Sequence, residues 1–241
     1  MSAAAFDSNQ RMMSVYLMVA LDILLVHQVN SRLDDMKYKT NIYHVILGFI
    51  YNIAYLWFID RYLLNVSGKP NSNIILRSIF WFLFICSMGL SLHNFIRYAD
   101  ITDEELSESL MITLGIFITF SLYSLLGAPG LGDSGLEAML PYVIISFLVL
   151  SLVRLINTLH GWWSGRRLKD TFGDSPLRKI LSSLFILIFV FLVVYNTRDC
   201  QNGKTLETQD ILSCSNNLFL DSFNLFREVL ELTSGESNLD S

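Results

Sequence analysis

The run 184-LFILIFVFLVVY-195 carries no polar atom before the Tyr195 hydroxyl. A stretch of this kind limits the chain to few folds, because a helix crosses the roughly 30 Å of bilayer hydrocarbon with about 20 mostly apolar residues. Six segments come close to that length: 12–29, 42–59, 74–96, 109–127, 138–159 and 180–195. Polar stretches rich in Gly, Pro and charge join them, among them 65-NVSGKPNSN-73 and 164-SGRRLKDTFGDSPLRK-179. Connections this short make each helix antiparallel to its sequence neighbour. Only 16% of the 241 residues are charged, against about 25% in soluble domains. The expectation is an all-α membrane protein of one domain, with a short polar N-terminus at 1–11, a membrane domain over 12–232 and a polar tail at 233–241.

Several functions are excluded at this level. A net charge of −5 argues against nucleic acid as a partner. Three cysteines without a C-x-x-C pair rule out a disulfide scaffold or an ordinary zinc module. There is no G-x-S-x-G, H-E-x-x-H, P-loop or glycine-rich dinucleotide turn. The glycines of 127-GAPGLGDSG-135 join two apolar spans and read as a loop. No enzyme and no cofactor are expected. His27, His44, His93 and His160 lie near span ends without metal-ligand spacing, and Cys86 reads as a small core residue. The first apolar segment lacks a basic flank and a small-residue cleavage site, and Asp22 interrupts it, so it reads as a span and not as a signal peptide.

A seventh segment, 215-SNNLFLDSFNLFREVLELTSG-235, is weaker. Asn217, Asp221, Asn224 and Glu228 recur at helical spacing on one face, with Leu218, Phe219, Phe223, Phe226, Val229 and Leu230 over the rest. It reads either as an amphipathic helix on the membrane surface or as a further span lining a bundle interior. The second reading has the narrow polar stripe and the single cation, Arg227, on its side.

Loop charge sets the expected orientation. One side collects Arg32, Lys37, Lys39, Arg97, Arg166, Arg167, Lys169, Arg178 and Lys179; the other has Arg11, Arg61, Lys69, Arg77, Arg198 and Lys204. Nine against six makes the loop 164–179 cytoplasmic and the N-terminus lumenal or exterior. The sequon Asn65-Val66-Ser67 then falls on the non-cytoplasmic side, as do Cys200 and Cys214, which can pair there. Ionisable residues inside spans are functional candidates: Asp22, Arg154 and Asp221. Asp22 and Arg154 read either as an ion pair within the membrane or as parts of a transport relay.

Three stretches, in order, resemble the Bax inhibitor family of membrane proteins. The first is 88-MGLSL-92 followed by 110-LMITLGIFITFSLYSLL-126; the second is 134-SGLEAMLPYVIISFLVLSLVRLI-156; the third is 188-IFVFLVVYNTRD-199 with 218-LFLDSFNLFREVLEL-232. In the third, the family reads Y-D-T-Q and then L-Y-L-D-x-x-N-L-F-x-x-L-L-x-L. The resemblance covers residues 75–232. It implies a seven-transmembrane-helix bundle with spans near those listed and the last at 215–232. It further implies a calcium leak in an endoplasmic reticulum, Golgi or other intracellular membrane rather than the plasma membrane, and a role in restraining cell death.

In the family two aspartates face each other near the pore, share a proton and titrate as a pair. Here the first is replaced by Asn196, and the glutamine that follows it by Arg198, while the second is kept as Asp221. An Asn–Asp pair keeps a hydrogen bond and an oxygen for a cation but loses the like-charge coupling, so a weakened pH gate is expected. Asp199 would substitute for the lost carboxylate only if the helix end were frayed or shifted. The pore or proton-sensing set implied is Asp221, Asn196, Asn217 and Asn224, with calcium as the permeant ion and Asp221 as its weak ligand. Expected partners are the lipid bilayer, calcium ions and membrane proteins that regulate cell death. The alternatives are a non-conducting membrane interaction protein, a proton- or solute-coupled transporter and a structural membrane protein.

Overall fold

Every apolar run forms a helix, and most extend beyond the limits read from hydrophobicity, because helix propensity continues into the polar flanks. The computed structural model describes residues 3–38, 42–67, 73–99, 101–126, 132–163 and 176–233. Among them are α1 (Ala3–Asp35), α2 (Ile42–Ala54), a π-helical turn (Tyr55–Ile59), α3 (Asp60–Ser67), α4 (Ile74–Ala99), α5 (Asp103–Leu125), α6 (Asp133–Trp163), α7 (Pro176–Asn202), α8 (Leu206–Gln209) and α9 (Ile211–Thr233). The segment 1–11, expected as a polar terminus, is therefore helical from Ala3. Most of the loop 164–179 and the tail from 234 lie outside the described residues. Asn65 of the sequon is exposed near the end of α3.

Local chemistry sets several of these ends. Thr102 Oγ1 accepts the Glu105 N–H while the Glu105 carboxylate accepts the Thr102 N–H, a reciprocal cap at the start of α5. Asp103 and Glu104 add negative charge at the positive end of that helix. Gly203 stops α7 at φ +59, where a Cβ would strike the Arg11 guanidinium. Pro141 sits inside α6, a position tolerated in membrane helices.

Five helical segments are long and apolar enough to cross a bilayer: Gln10–Asp35, Ile74–Arg97, Asp103–Leu125, Asp133–Ile156 and Pro176–Asn202. None of the most apolar stretch of α6 is buried within the protein, and Ile145, Leu148, Val149 and Leu152 face outward. An apolar surface of that extent needs lipid around it.

The helices group into two compact units. The first holds Met1–Arg97 with Asp199–Phe219, the second Tyr98–Arg198 with Leu220–Ser241. Apolar patterning locates helices but does not say which helices cluster, so this division is not visible in hydrophobicity.

In the first unit, α1 and α4 run parallel: Asp22 meets Trp81, Val29 packs at Gly89 and Asp34 meets Arg97. The α2–α3 segment runs antiparallel to α4, with Gly48 at Ser87, Tyr51 at Phe80 and Asp60 at Arg77. In the second unit, α6 and α7 are antiparallel, with Asp133 at Arg198 and Phe147 against Phe185 and Phe189. The α9 segment is antiparallel to α7, with Asn196 at Asp221 and Ser182 at Glu231. The core here is Phe185, Ile188, Phe189, Leu225 and Val229. On α5 the buried residues Ser109, Thr113, Phe117, Ser121 and Ser124 form one stripe at helical spacing, and Ser124 Oγ donates to the Val194 carbonyl.

Candidate functional site

Asp221 lies in the middle of α9 and is 6% exposed. Antiparallel packing against α7 places Asn196 opposite it, and the Asn196 amide nitrogen donates to Asp221 Oδ2 at 2.6 Å. The structure thus brings together the two positions marked by the Y-N-T and L-F-L-D motifs. One turn beyond Asn196 sits Cys200 and one turn before Asp221 sits Asn217, and there the pattern changes. Asn217 is exposed and Asn224 half-buried. The four-residue oxygen ladder read from helical spacing is therefore interrupted. Between 219 and 220 α9 passes from one unit to the other, so its surroundings change along its length while its sequence periodicity does not.

Asp22 and Arg154, drawn as a pair from sequence, take different partners. Trp81 Nε1 donates to Asp22 Oδ1 at 2.9 Å within the first unit. In the second unit, Arg154 Nη1 donates to Glu228 Oε1 at 2.6 Å and Nη2 donates to Glu231 Oε2. Glu228 and Glu231 are three residues apart and so share a face of α9, which lets one guanidinium serve both. The Arg154 guanidinium also stands 5.4 Å over the Phe185 ring. Glu231 receives further cations, with Arg178 Nε and Arg227 Nε each at 3.7 Å.

The first unit holds a second charged centre, which the loop-charge reading missed. Arg77, counted there as a loop cation, is fully buried. Its Nε and Nη2 donate to Asp60 Oδ1 at 3.0 and 2.7 Å, and its Nη1 and Nη2 donate to Asp210 at 2.8 and 2.7 Å. Ser213 Oγ accepts from Arg77 Nη2 and donates to Asp60 Oδ2. The π turn supports this arrangement. Its closing bond runs from the Asp60 N–H to the Tyr55 carbonyl, so Tyr55 and Asp60 point the same way, whereas residues five apart in an α-helix diverge by about 140°. The Tyr55 hydroxyl then accepts from Asn216 Nδ2 at 2.9 Å. The available sequence signal was that Arg77 falls inside the 74–96 span, where an ionisable residue needs a partner.

Close to this centre in sequence, Cys200 and Cys214 are joined in a disulfide. The Arg11 guanidinium donates to the carbonyls of Cys200 and Gln201 at 2.8 and 2.9 Å, tying the start of α1 to the end of α7.

Among the described residues no three His, Cys, Asp or Glu side chains gather as a tightly held metal would require. Asp221 with Asn196 supplies few oxygens in an otherwise apolar core. That suits an ion in passage, since a conducting site must release what it binds.

Long helices with exposed apolar faces, and charged groups paired between them, define an all-α, multi-pass integral membrane protein. The chain belongs to the family of inhibitors of apoptosis-promoting Bax1, whose model matches residues 8–238. That family consists of membrane regulators and channels, not enzymes. No curated protein and no solved structure matches the chain.

Proposed function

We propose that this protein crosses an intracellular membrane, of the endoplasmic reticulum or Golgi, seven times and forms a calcium leak that modulates calcium homeostasis and restrains apoptosis. The observation that carries the reading is the Asn196–Asp221 pair, a buried carboxylate facing a half-buried amide between two packed helices. A lone carboxylate there is costly to keep and serves a cation better than an anion. Helix directions support seven spans. If α1 and α4 both span and run parallel, the α2–α3 segment between them returns across the membrane; α9 returns likewise against α7. Because Asn196 is uncharged, two carboxylates do not compete for one proton, and the leak depends less on pH than one built on such a pair.

The test is calcium entry into proteoliposomes at about pH 6 and about pH 8, either side of neutrality. The wild type conducts, Asp221→Asn abolishes flux, and Asn196→Asp makes it more pH-dependent than the wild type. A second reading is a non-conducting protein that acts through other membrane proteins of cell-death control. The Asn196 amide occupying Asp221 favours it. Absence of flux in all three folded proteins would leave that reading in place of the leak.

A further inference from the structure

Along the packed seam of α7 and α9 in the second unit, three layers follow one another. The Asn196–Asp221 pair comes first. An apolar layer follows, in which Phe185, Phe189, Leu225 and Val229 are all buried. Glu231 comes last, about 15 Å beyond Asp221 at the rise of a helix, with Glu228 about 10 Å beyond Asp221 at the level of Val229, and both are bound by Arg154. A cation moving from Asp221 toward this end would first meet a hydrophobic constriction, which excludes water and ions by dewetting. It would then meet the guanidinium of Arg154, fixed over Phe185 by its cation–π contact.

The last layer also determines whether the end of α9 stays in place. Arg154 is on α6, Arg178 and Ser182 are on α7, and all three reach Glu231. The side chain of Glu231 is fully buried, and Glu228 Oε2 is buried with no hydrogen-bond partner. Arg154 hydrogen-bonds both carboxylates, so its loss would leave Glu228 without that bond in a medium of low dielectric, while Glu231 keeps Ser182, Arg178 and Arg227 beside it. Both glutamates stand at positions that the family's L-Y-L-D-x-x-N-L-F-x-x-L-L-x-L pattern leaves open.

We infer that Arg154, Glu228 and Glu231 form a releasable clasp that holds the end of α9 against α6 and α7 and keeps the Asp221 path closed at that end. The inference rests on the leak reading, and it assigns closure to residues distinct from the Asn196–Asp221 pair. Release requires an exchange of partners by Arg154, after which α9 moves outward, the apolar layer parts and two carboxylates face an entering cation.

The experiment compares wild type with two double variants in proteoliposomes and by hydrogen exchange. Arg154→Gln with Glu228→Gln removes one charge of each sign and leaves Glu231 with Ser182, Arg178 and Arg227. Arg154→Glu with Glu228→Arg restores that pair in reverse. Monodisperse elution and a cooperative thermal transition establish that each variant is folded. The neutral variant is expected to raise the initial rate of calcium entry about tenfold, within the 5–150-fold range of ordinary coupling energies, and to speed amide exchange over residues 225–233. The reversed pair returns both toward wild type. An unchanged rate in the neutral variant, with flux still abolished by Asp221→Asn, would overturn the clasp and leave the leak reading intact. Should no protein conduct, the leak reading fails, and unchanged exchange over 225–233 would overturn the clasp as well.

Discussion

A guanidinium buried among apolar side chains is tolerated only when all its donors find acceptors, and Arg77 shows how narrow that condition is. It spends Nε, Nη1 and Nη2 on Asp60, Asp210 and Ser213, so its planar fork spans two carboxylates that a single ammonium cannot bridge. Arg77→Gln removes the guanidinium that bonds both aspartates and leaves two buried carboxylates without it, at an expected cost of about 3–5 kcal/mol. Arg77→Lys keeps the charge yet lowers the thermal midpoint as well, because it reaches one carboxylate at the expense of the other. Thermal unfolding of the purified protein in detergent checks both. Wild-type stability in Arg77→Lys would show that net charge, and not bidentate geometry, holds this centre. Asp22 presents a milder case, since its Oδ1 accepts from Trp81 and an amide oxygen can do the same. Its charge is therefore dispensable to the fold in a way that the charges of Asp60 and Asp210 are not.

At the scale of single elements, the π turn at Tyr55–Ile59 does what an α-helix cannot: it aligns Tyr55 and Asp60 on one side. Deleting Phe58, which is exposed, converts the turn to α-helical spacing and leaves the two residues four apart, still on one face. That variant keeps the thermal midpoint of the wild type. An alanine inserted after Phe58 instead rotates Asp60 by about 100° away from Arg77 and lowers stability by about 3–5 kcal/mol, the cost of a broken buried pair. Equal midpoints for deletion and insertion would show that the turn does not position Asp60. Neither the π turn nor the cluster was legible in the sequence, because hydrophobic runs report length and burial but not phase. The helix of α9 and its Asp221 were legible, since the L-F-L-D motif and the 3.6-residue period both mark them. The outward position of Asn217 was not: it shares the periodicity of Asp221, but the surroundings of α9 change between the two. Glu231 was missed for a related reason, as it lies off the stripe defined by Asn217, Asp221 and Asn224 and gains its meaning only from Arg154 across the packing.

For the whole molecule, the number of crossings decides where every loop lies, and hydropathy alone marks five among the described residues. The helix α9 is not among them because Asp221, Arg227, Glu228 and Glu231 lower its average, nor is the α2–α3 segment, which the π turn breaks into short pieces. Helix direction is the better guide. Two parallel helices joined by a short chain need a return path, and α1 with α4 form such a pair in the first unit. With α2–α3 crossing, the segment after α1 and the segment before α4 lie on opposite faces; with α2–α3 lying on the surface, they share one. Met36 and Asn73 mark those two segments, and both are exposed. In a Cys86→Ala background, Met36→Cys is expected to react with a membrane-impermeant maleimide from the cytoplasmic face of sealed vesicles, while Asn73→Cys reacts only after the vesicles are opened. The excess of Lys and Arg predicts that assignment of faces, and the Cys200–Cys214 disulfide leaves no second thiol to react. Labelling of both positions from the same face would remove α2–α3 from the membrane and with it the seven-span arrangement. Labelling of opposite faces with the sides exchanged would preserve the seven spans and reverse the orientation, placing the C-terminal end of α9 and its Arg154 clasp toward the lumen.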